Sequence, residues 1–235
     1  MFSQVIIAIL VVLLSLVFIA IYRRAKNARR GILLTGLCDT GKTLLYARLI
    51  HRKFVNTQTS IKENIGDYVV NGSYVRVIDI PGHERIRGKF FEDYKSQSRG
   101  IVYVIDSQTI QKDVRDAAEF LYNILVDPVV VANRPAVLVL CNKQDQPLVK
   151  SASAVKAMLE KEMNTLRVTK SKQLQSVDPN HANSILLGGG DLDEPFTFDS
   201  MGKFKVDFAE SHATNSGDAD RCSIDELQSW LAKIS

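Results

Sequence analysis

The octet from Gly36 to Thr43, "GLCDTGKT", leaves a chain few ways to fold. It satisfies G-x-x-x-x-G-K-[ST], follows the apolar run "RGILLTG" and opens "KTLLYARLIHRKF", a segment with helical spacing. Strand, glycine-rich loop and helix in that order are the context a phosphate loop needs. Exposed N–H groups and a helix N-terminus surround phosphate oxygens, and the glycines let the backbone come close. On this reading Gly36, Leu37, Cys38, Asp39, Thr40 and Gly41 form the cradle. Lys42 bridges the β- and γ-phosphates, and the Thr43 hydroxyl ligates Mg²⁺. Cys38 needs no role beyond that of a small, partly buried side chain.

The rest of the body repeats the strand and helix alternation. "DYVVNGSYVRVIDI" holds Asn71-Gly72 between two β-branched runs, the strongest short signal for a hairpin. "GIVYVID" and "PAVLVLCNK" are continuous apolar runs, as in strands covered on both faces. "DVRDAAEFLYNILVD" between them and "SASAVKAMLEKEMNTL" after them carry helical patterns. The result is a doubly wound α/β sheet with its ligand at the carboxyl ends of the strands. From about Thr169 to Ser200 the pattern lapses, and residues 170–200 read as a mobile insertion. "KFKVDFAE" alternates as a further strand. The last helix has a capping box in Ser223 and Glu226, and Ile224, Leu227, Leu231 and Ile234 share one face, with Trp230 packed beside it.

Two more motifs stand at the ends of expected strands. In "DIPGH", Asp79 holds Mg²⁺ through water and the Gly82 N–H reaches a γ-phosphate, so this loop senses triphosphate against diphosphate. In "NKQD", Asp145 accepts from the N1–H and exocyclic amine of guanine, a donor pair adenine lacks. Lys143 lies along the base, and Asn142 ties this loop to the phosphate loop. The order and spacing of the three motifs point to GTP or GDP with Mg²⁺.

In front of the body, Val5 to Tyr22 is an uncharged run of 18 residues with Ser15 its single polar side chain. As a helix it reaches about 27 Å, the short end for a membrane span. A cleaved signal peptide has its basic residues before the apolar run; here "RRAKNARR" follows it. The positive-inside rule then places the body in the cytosol. The chain divides into an anchor at 1–22, a basic segment at 23–30 and a nucleotide-binding domain at 31–235. Net charge is +4, and Arg23, Arg24, Lys26, Arg29 and Arg30 supply more than that excess, leaving a nearly neutral body. This argues against direct nucleic-acid binding, which needs a basic face on the folded domain. Cys38, Cys141 and Cys222 are odd in number and widely spaced, which fits a reducing compartment without disulfides.

With these residues in view, the body resembles the Ras-like small GTPases, and its switch sequences "TQTSI" and "DIPGHERIR" are similar to the Arf-like branch. With its anchor and the closing "LQSWLAKI", the whole chain resembles the family of signal recognition particle receptor beta subunits. The resemblance implies a Ras-like P-loop GTPase fold: a mostly parallel six-stranded sheet with one antiparallel edge hairpin, behind a single transmembrane helix. It implies a hydroxyl over the Mg²⁺ in switch I, from Ser60 or Thr59, with Arf-like spacing favouring Ser60. "ESHA" replaces the usual guanine-contacting "SAK", and the Ala213 N–H stands where the guanine carbonyl is read. His83 occupies the position of the residue that orients attacking water, so slow hydrolysis needing a partner is one expectation and a partner-binding switch residue is the other. The implied partner is the receptor's alpha subunit, docked on the GTP form at the endoplasmic reticulum membrane, with ribosome and signal recognition particle engaged indirectly. Two other readings remain at this point: a vesicle-budding GTPase of the Sar or Arf type, and a constitutively GTP-bound scaffold without significant hydrolysis.

Overall fold

The computed structural model describes residues 10–15, 17–18, 30–177, 187, 194–202, 204–214 and 222–235. Six strands form one sheet: β1 (Gly31–Gly36), β2 (Asn64–Val70), β3 (Ser73–Asp79), β4 (Ser98–Asp106), β5 (Ala136–Asn142) and β6 (Val206–Glu210), in the order β2-β3-β1-β4-β5-β6. β2 and β3 pair antiparallel at the edge, and every other pairing is parallel. The hairpin turns on Asn71 (φ 50°) and Gly72 (φ 75°). Two successive positive φ angles suit a two-residue turn whose twist matches the strands, which is why Asn-Gly serves here.

Helices cover both faces: α1 (Lys42–His51), α2 (Glu84–Tyr94), α3 (Ile110–Leu125), a short α4 (Pro128–Asn133), α5 (Ala152–Val177) and α6 (Asp225–Ile234). Because side chains alternate along a strand, neighbouring residues of β1 serve different cores. Leu33 packs with Phe91, Leu121 and Leu159 on the α2–α3–α5 face, and Ile32 and Leu34 pack with Leu45, Leu49 and Leu227 on the α1–α6 face. α6 comes so close to β4 that a Cβ on Gly100 would sit 2.7 Å from Ile234 Cδ1 and 3.0 Å from Trp230.

Four expectations change. The helix expected to end near Leu166 runs on to Val177. Its buried stripe Val155, Leu159 and Met163 is continued at the same four-residue spacing by Arg167 and Ser171, also buried. Two polar residues on a core-facing stripe hide the helix from a hydropathy reading. Beyond it, Phe196 and Phe198 are buried and stack edge-on, so 194–200 packs onto the body where an insertion was expected. The rest of that insertion, apart from Leu187, lies outside the described residues.

The capping box also fails. Ser223 is bridged to His212 through both backbone bonds, and α6 begins at Asp225 without a side-chain cap. Glu226 instead accepts from the Glu210 N–H at 2.8 Å and secures the end of β6. Trp230 packs where expected and donates from Nε1 to Asp207 at 3.1 Å. Cys38 is exposed at the loop rather than partly buried.

The expected anchor lies mostly outside the described residues. Residues 10–15 and 17–18 are helical, with Leu10 to Leu14, Val17 and Phe18 exposed. Among the described residues no helix is long and apolar enough to cross a membrane.

Candidate nucleotide site

The three motifs meet along the carboxyl edge of the parallel strands. β1 ends at Gly36, where φ is 145° and a Cβ would lie 2.3 Å from the Val104 carbonyl oxygen of β4. Only glycine allows that approach. Gly41 caps α1 at φ 87°, and a Cβ there would meet Asn142 Nδ2 at 2.5 Å. No side chain caps the start of α1, so its first N–H groups are directed at whatever anion the loop encloses.

Lys42 and Asp79 are nearly inaccessible, at 5% and 1% exposure. Lys42 Nζ donates to the Leu37 carbonyl and to Thr40 Oγ1, holding the loop closed around it. Burial pushes the Lys42 pKa down, while Asp79, Cys38 and Asp39 pull it back. Burial pushes the Asp79 carboxyl up, opposed by hydrogen bonds from Asn64 and Thr43 and by the Lys42 charge. For both groups burial outweighs the opposing charge and hydrogen bonds.

Thr43 Oγ1 donates to Asp79 Oδ2 at 2.8 Å and lies 3.1 Å from Ser60 Oγ. Asn64 Nδ2 donates to the same carboxylate oxygen at 2.9 Å. Asp79 Oδ1 is buried without a partner among the described residues. Of the two switch I hydroxyls, Ser60 is the one turned inward, and Thr59 is exposed. Gly82 presses on the phosphate loop: a Cβ would be 2.7 Å from both the Leu37 carbonyl oxygen and Lys42 Nζ. Thr57 to Ser60, Gly82 and the phosphate loop line one small cavity. His83 stands at the exposed N-cap of α2, its Nδ1 accepting from the Arg85 N–H at 3.3 Å. A larger cavity of about 430 Å³ between α2 and α3 is rimmed by Glu84, Glu92, Asp116 and Glu119, a poor lining for phosphate.

The expected base-binding end is built at the tip of β5. Asn142 Nδ2 donates to the Thr40 carbonyl at 2.8 Å, the tie between the two loops that the sequence suggests. Its Oδ1 accepts from Ser211 Oγ at 3.1 Å. Lys143 adopts φ 65° and pairs with Asp106 Oδ2 at 2.7 Å. Asp145 Oδ2 accepts from Thr214 Oγ1 and Gln146 Nε2, whereas Oδ1 is buried without a partner among the described residues. Ala213 is buried, and its carbonyl accepts from Arg48 Nε at 3.0 Å.

Sequence reasoning missed Asn64, Asp106, Ser211, Thr214 and Arg48. Asn64 was within reach: counting back from the Asn71-Gly72 turn pairs Asn64 with Asp79 in the hairpin register. The others act across 37 to 165 residues of sequence, a separation that no local pattern marks.

Comparison with known proteins adds three findings. Residues 27–209 match the family model described as signal recognition particle receptor beta subunit. A human protein of that name is 43% identical over 235 residues, covering 98% of this chain and 86% of the relative. A solved structure titled as the mammalian SRP receptor is 40% identical with a TM-score of 0.75, covering 88% of this chain and all of that one. A Chaetomium thermophilum structure titled as an SRb-GTP/SRX complex has a TM-score of 0.67 at 19% identity, covers 86% of this chain and 97% of its own, and supports the fold.

Proposed function

The chain belongs to the family of signal recognition particle receptor beta subunits, and on that premise we propose that it is a membrane-anchored, GTP-dependent switch. Its triphosphate state holds the receptor's alpha subunit at the endoplasmic reticulum, where that pair receives ribosomes bearing nascent chains. The observation that carries this reading is the convergence of three distant segments on Thr43. Ser60 from switch I, Asp79 and Asn64 from the hairpin, and Gly82 from switch II all meet there or on the adjoining loop.

The residues fit the ligand. Backbone N–H groups from Gly36 to Gly41 and the Lys42 ammonium take the phosphate oxygens. Thr43, Ser60 and, through water, Asp79 hold Mg²⁺, with Thr59 outside the set. Mg²⁺ when bound would supply positive charge beside the unpartnered Oδ1 of buried Asp79 and neutralise charge on the β- and γ-phosphates. Gly82 has room for a γ-phosphate only through its backbone, so its position depends on whether that phosphate is present. Asp145 Oδ1 faces guanine as the acceptor left over once Thr214 and Gln146 have taken Oδ2, and Lys143 is held along the base by Asp106. The Ala213 N–H reads the guanine carbonyl.

His83 caps its own helix, which occupies the Nδ1 lone pair. Nε2 is then the ring nitrogen left to orient water, and a docked partner orders the exposed ring for that role. Unassisted hydrolysis is therefore slow, which suits a switch that must persist until its partner acts. The alpha subunit is the docking partner by family, and a Chaetomium thermophilum protein that shares the fold is titled as an SRb-GTP/SRX complex.

The apolar run from Val5 to Tyr22 is the anchor; its exposed helical side chains at 10–15 and 17–18 suit a lipid environment. Alkaline carbonate washing of membranes tests it: the chain is expected to stay in the pellet whichever nucleotide is present. Release into the supernatant would favour a reversible amphipathic anchor of the Sar or Arf type.

A further inference from the structure

We propose that Asn64 is a positioning residue for the Mg²⁺ end of the site: it completes the hydrogen bonding of Asp79 Oδ2, so that Oδ1 is the oxygen kept for the metal's water. The proposal rests on the reading of Asp79 as the carboxylate that holds Mg²⁺ through water.

The hairpin explains why this residue meets this carboxylate. β2 begins at Asn64 and β3 ends at Asp79, and the antiparallel register sets the two directly opposite each other. Residues so paired share one face of a sheet, with Cβ atoms about 5 Å apart. An amide and a carboxylate, each attached directly to Cβ, close that gap with a single hydrogen bond: Asn64 Nδ2 donates to Asp79 Oδ2 at 2.9 Å. A glutamine adds a methylene to a gap already closed. An aspartate sets two carboxylates opposite each other where Asp79 is only 1% exposed, and like charges so placed destabilise a hairpin.

A count of donors then shows what the bond does. A carboxylate oxygen has two lone-pair positions. At Oδ2, Thr43 Oγ1 takes one at 2.8 Å and Asn64 takes the other. The torsion that turns a carboxylate is broad, and a second donor from a different element narrows it. Oδ1 stays buried and without a partner among the described residues. The pair of donors therefore decides which oxygen is left over and where it stands.

Asn64 is itself held in place. Its neighbour Glu63 accepts from the Tyr94 hydroxyl at 2.9 Å, which pins the start of β2 to the end of α2. Upstream, Ser60 Oγ lies 3.1 Å from Thr43 Oγ1. The segment from Ser60 to Asn64 thus joins the switch I hydroxyl, the helix after switch II and the metal carboxylate. A serine or alanine in place of Asn64 keeps the strand but shortens the reach to Oδ2.

The test uses the full chain in detergent, loaded with a fluorescent GDP analogue, and follows nucleotide release over a titration of free Mg²⁺. Release in EDTA reads the grip of the phosphate loop and base end alone. The Mg²⁺ midpoint for slowing release reads the metal end. Asn64→Leu, similar in size but without a donor, is expected to raise the midpoint about tenfold, the worth of one hydrogen bond to a charged acceptor. Its release in EDTA stays unchanged. Asn64→Ala is expected to show the same split and serves if the leucine variant does not fold. Asp79→Asn is expected to raise the midpoint further, about 100-fold. A midpoint unmoved in Asp79→Asn overturns the Asp79 reading itself, and the role of Asn64 with it. A midpoint that moves in Asp79→Asn but not in the Asn64 variants overturns the role of Asn64 and leaves the Asp79 reading standing. Asn64 variants that speed release equally with and without Mg²⁺ show a loosened hairpin and overturn the positioning role.

Discussion

Asp145 divides its labour between its two oxygens. Oδ2 is taken by Thr214 and Gln146, and Oδ1 is left buried and unpaired among the described residues. An unsatisfied buried carboxylate oxygen is costly unless a ligand completes it, and on the proposed reading the two donors on one edge of guanine do so. Asp145→Asn replaces that acceptor with a donor. GTP affinity is expected to fall about 100-fold while xanthine nucleotides gain, as read by competition binding; tight GTP binding in the variant contradicts the assignment. The place of Asp145 just beyond β5 was legible because a carboxylate follows an apolar strand run at a set distance. Its orienting partner Thr214 was not, being 69 residues away. The cysteines give a second expectation. Cys141 is fully buried, and burial pushes its thiol up to about 12. At pH 8 only about one part in ten thousand is thiolate, so it is inert to maleimide. Cys38 is exposed on the phosphate loop and is expected to label readily and to be shielded by GTP. Mass spectrometry of the labelled chain distinguishes the two; labelling that GTP does not slow contradicts the loop assignment.

At the scale of elements, the phosphate loop and switch II are in mechanical contact through Gly82. A methyl group there would come within 2.7 Å of the Leu37 carbonyl oxygen, which is backbone and has little room to yield. Gly82→Ala is expected to abolish the difference in thermal midpoint between the GTP- and GDP-loaded protein, measured by calorimetry. A variant that keeps the wild-type difference shows that Gly82 does not sense the γ-phosphate. The strands that hold these loops were legible, since β1, β4 and β5 are apolar along almost their whole length, as buried parallel strands must be. The true length of α5 was not, because Arg167 and Ser171 occupy its inward stripe. Arg167 is inward because Nη1 donates to the Glu194 carbonyl and its guanidinium lies 5.9 Å from the Phe196 ring. The start of α6 was misread for a related reason: Glu226 satisfies a strand end in place of its own helix.

Over the whole molecule, direction matters most. β1 enters at Gly31, just after the basic segment, and delivers the chain to the phosphate loop at Gly36. Six residues of strand span about 20 Å, so the phosphate loop at Gly36 and the start of the strand at Gly31 lie at opposite ends of β1. On the proposal that the N-terminal apolar run spans the membrane, the domain stays in place through every nucleotide state, which leaves docking as the property that GTP can control. The central claim is that docking follows the nucleotide, and a ligand shifts such an equilibrium only by its differential affinity for the two states. The direct measurement is the affinity of the alpha subunit for the full chain reconstituted in vesicles, loaded either with a non-hydrolysable GTP analogue or with GDP. The account predicts binding at least about tenfold tighter in the triphosphate state. Equal affinity in the two states contradicts it.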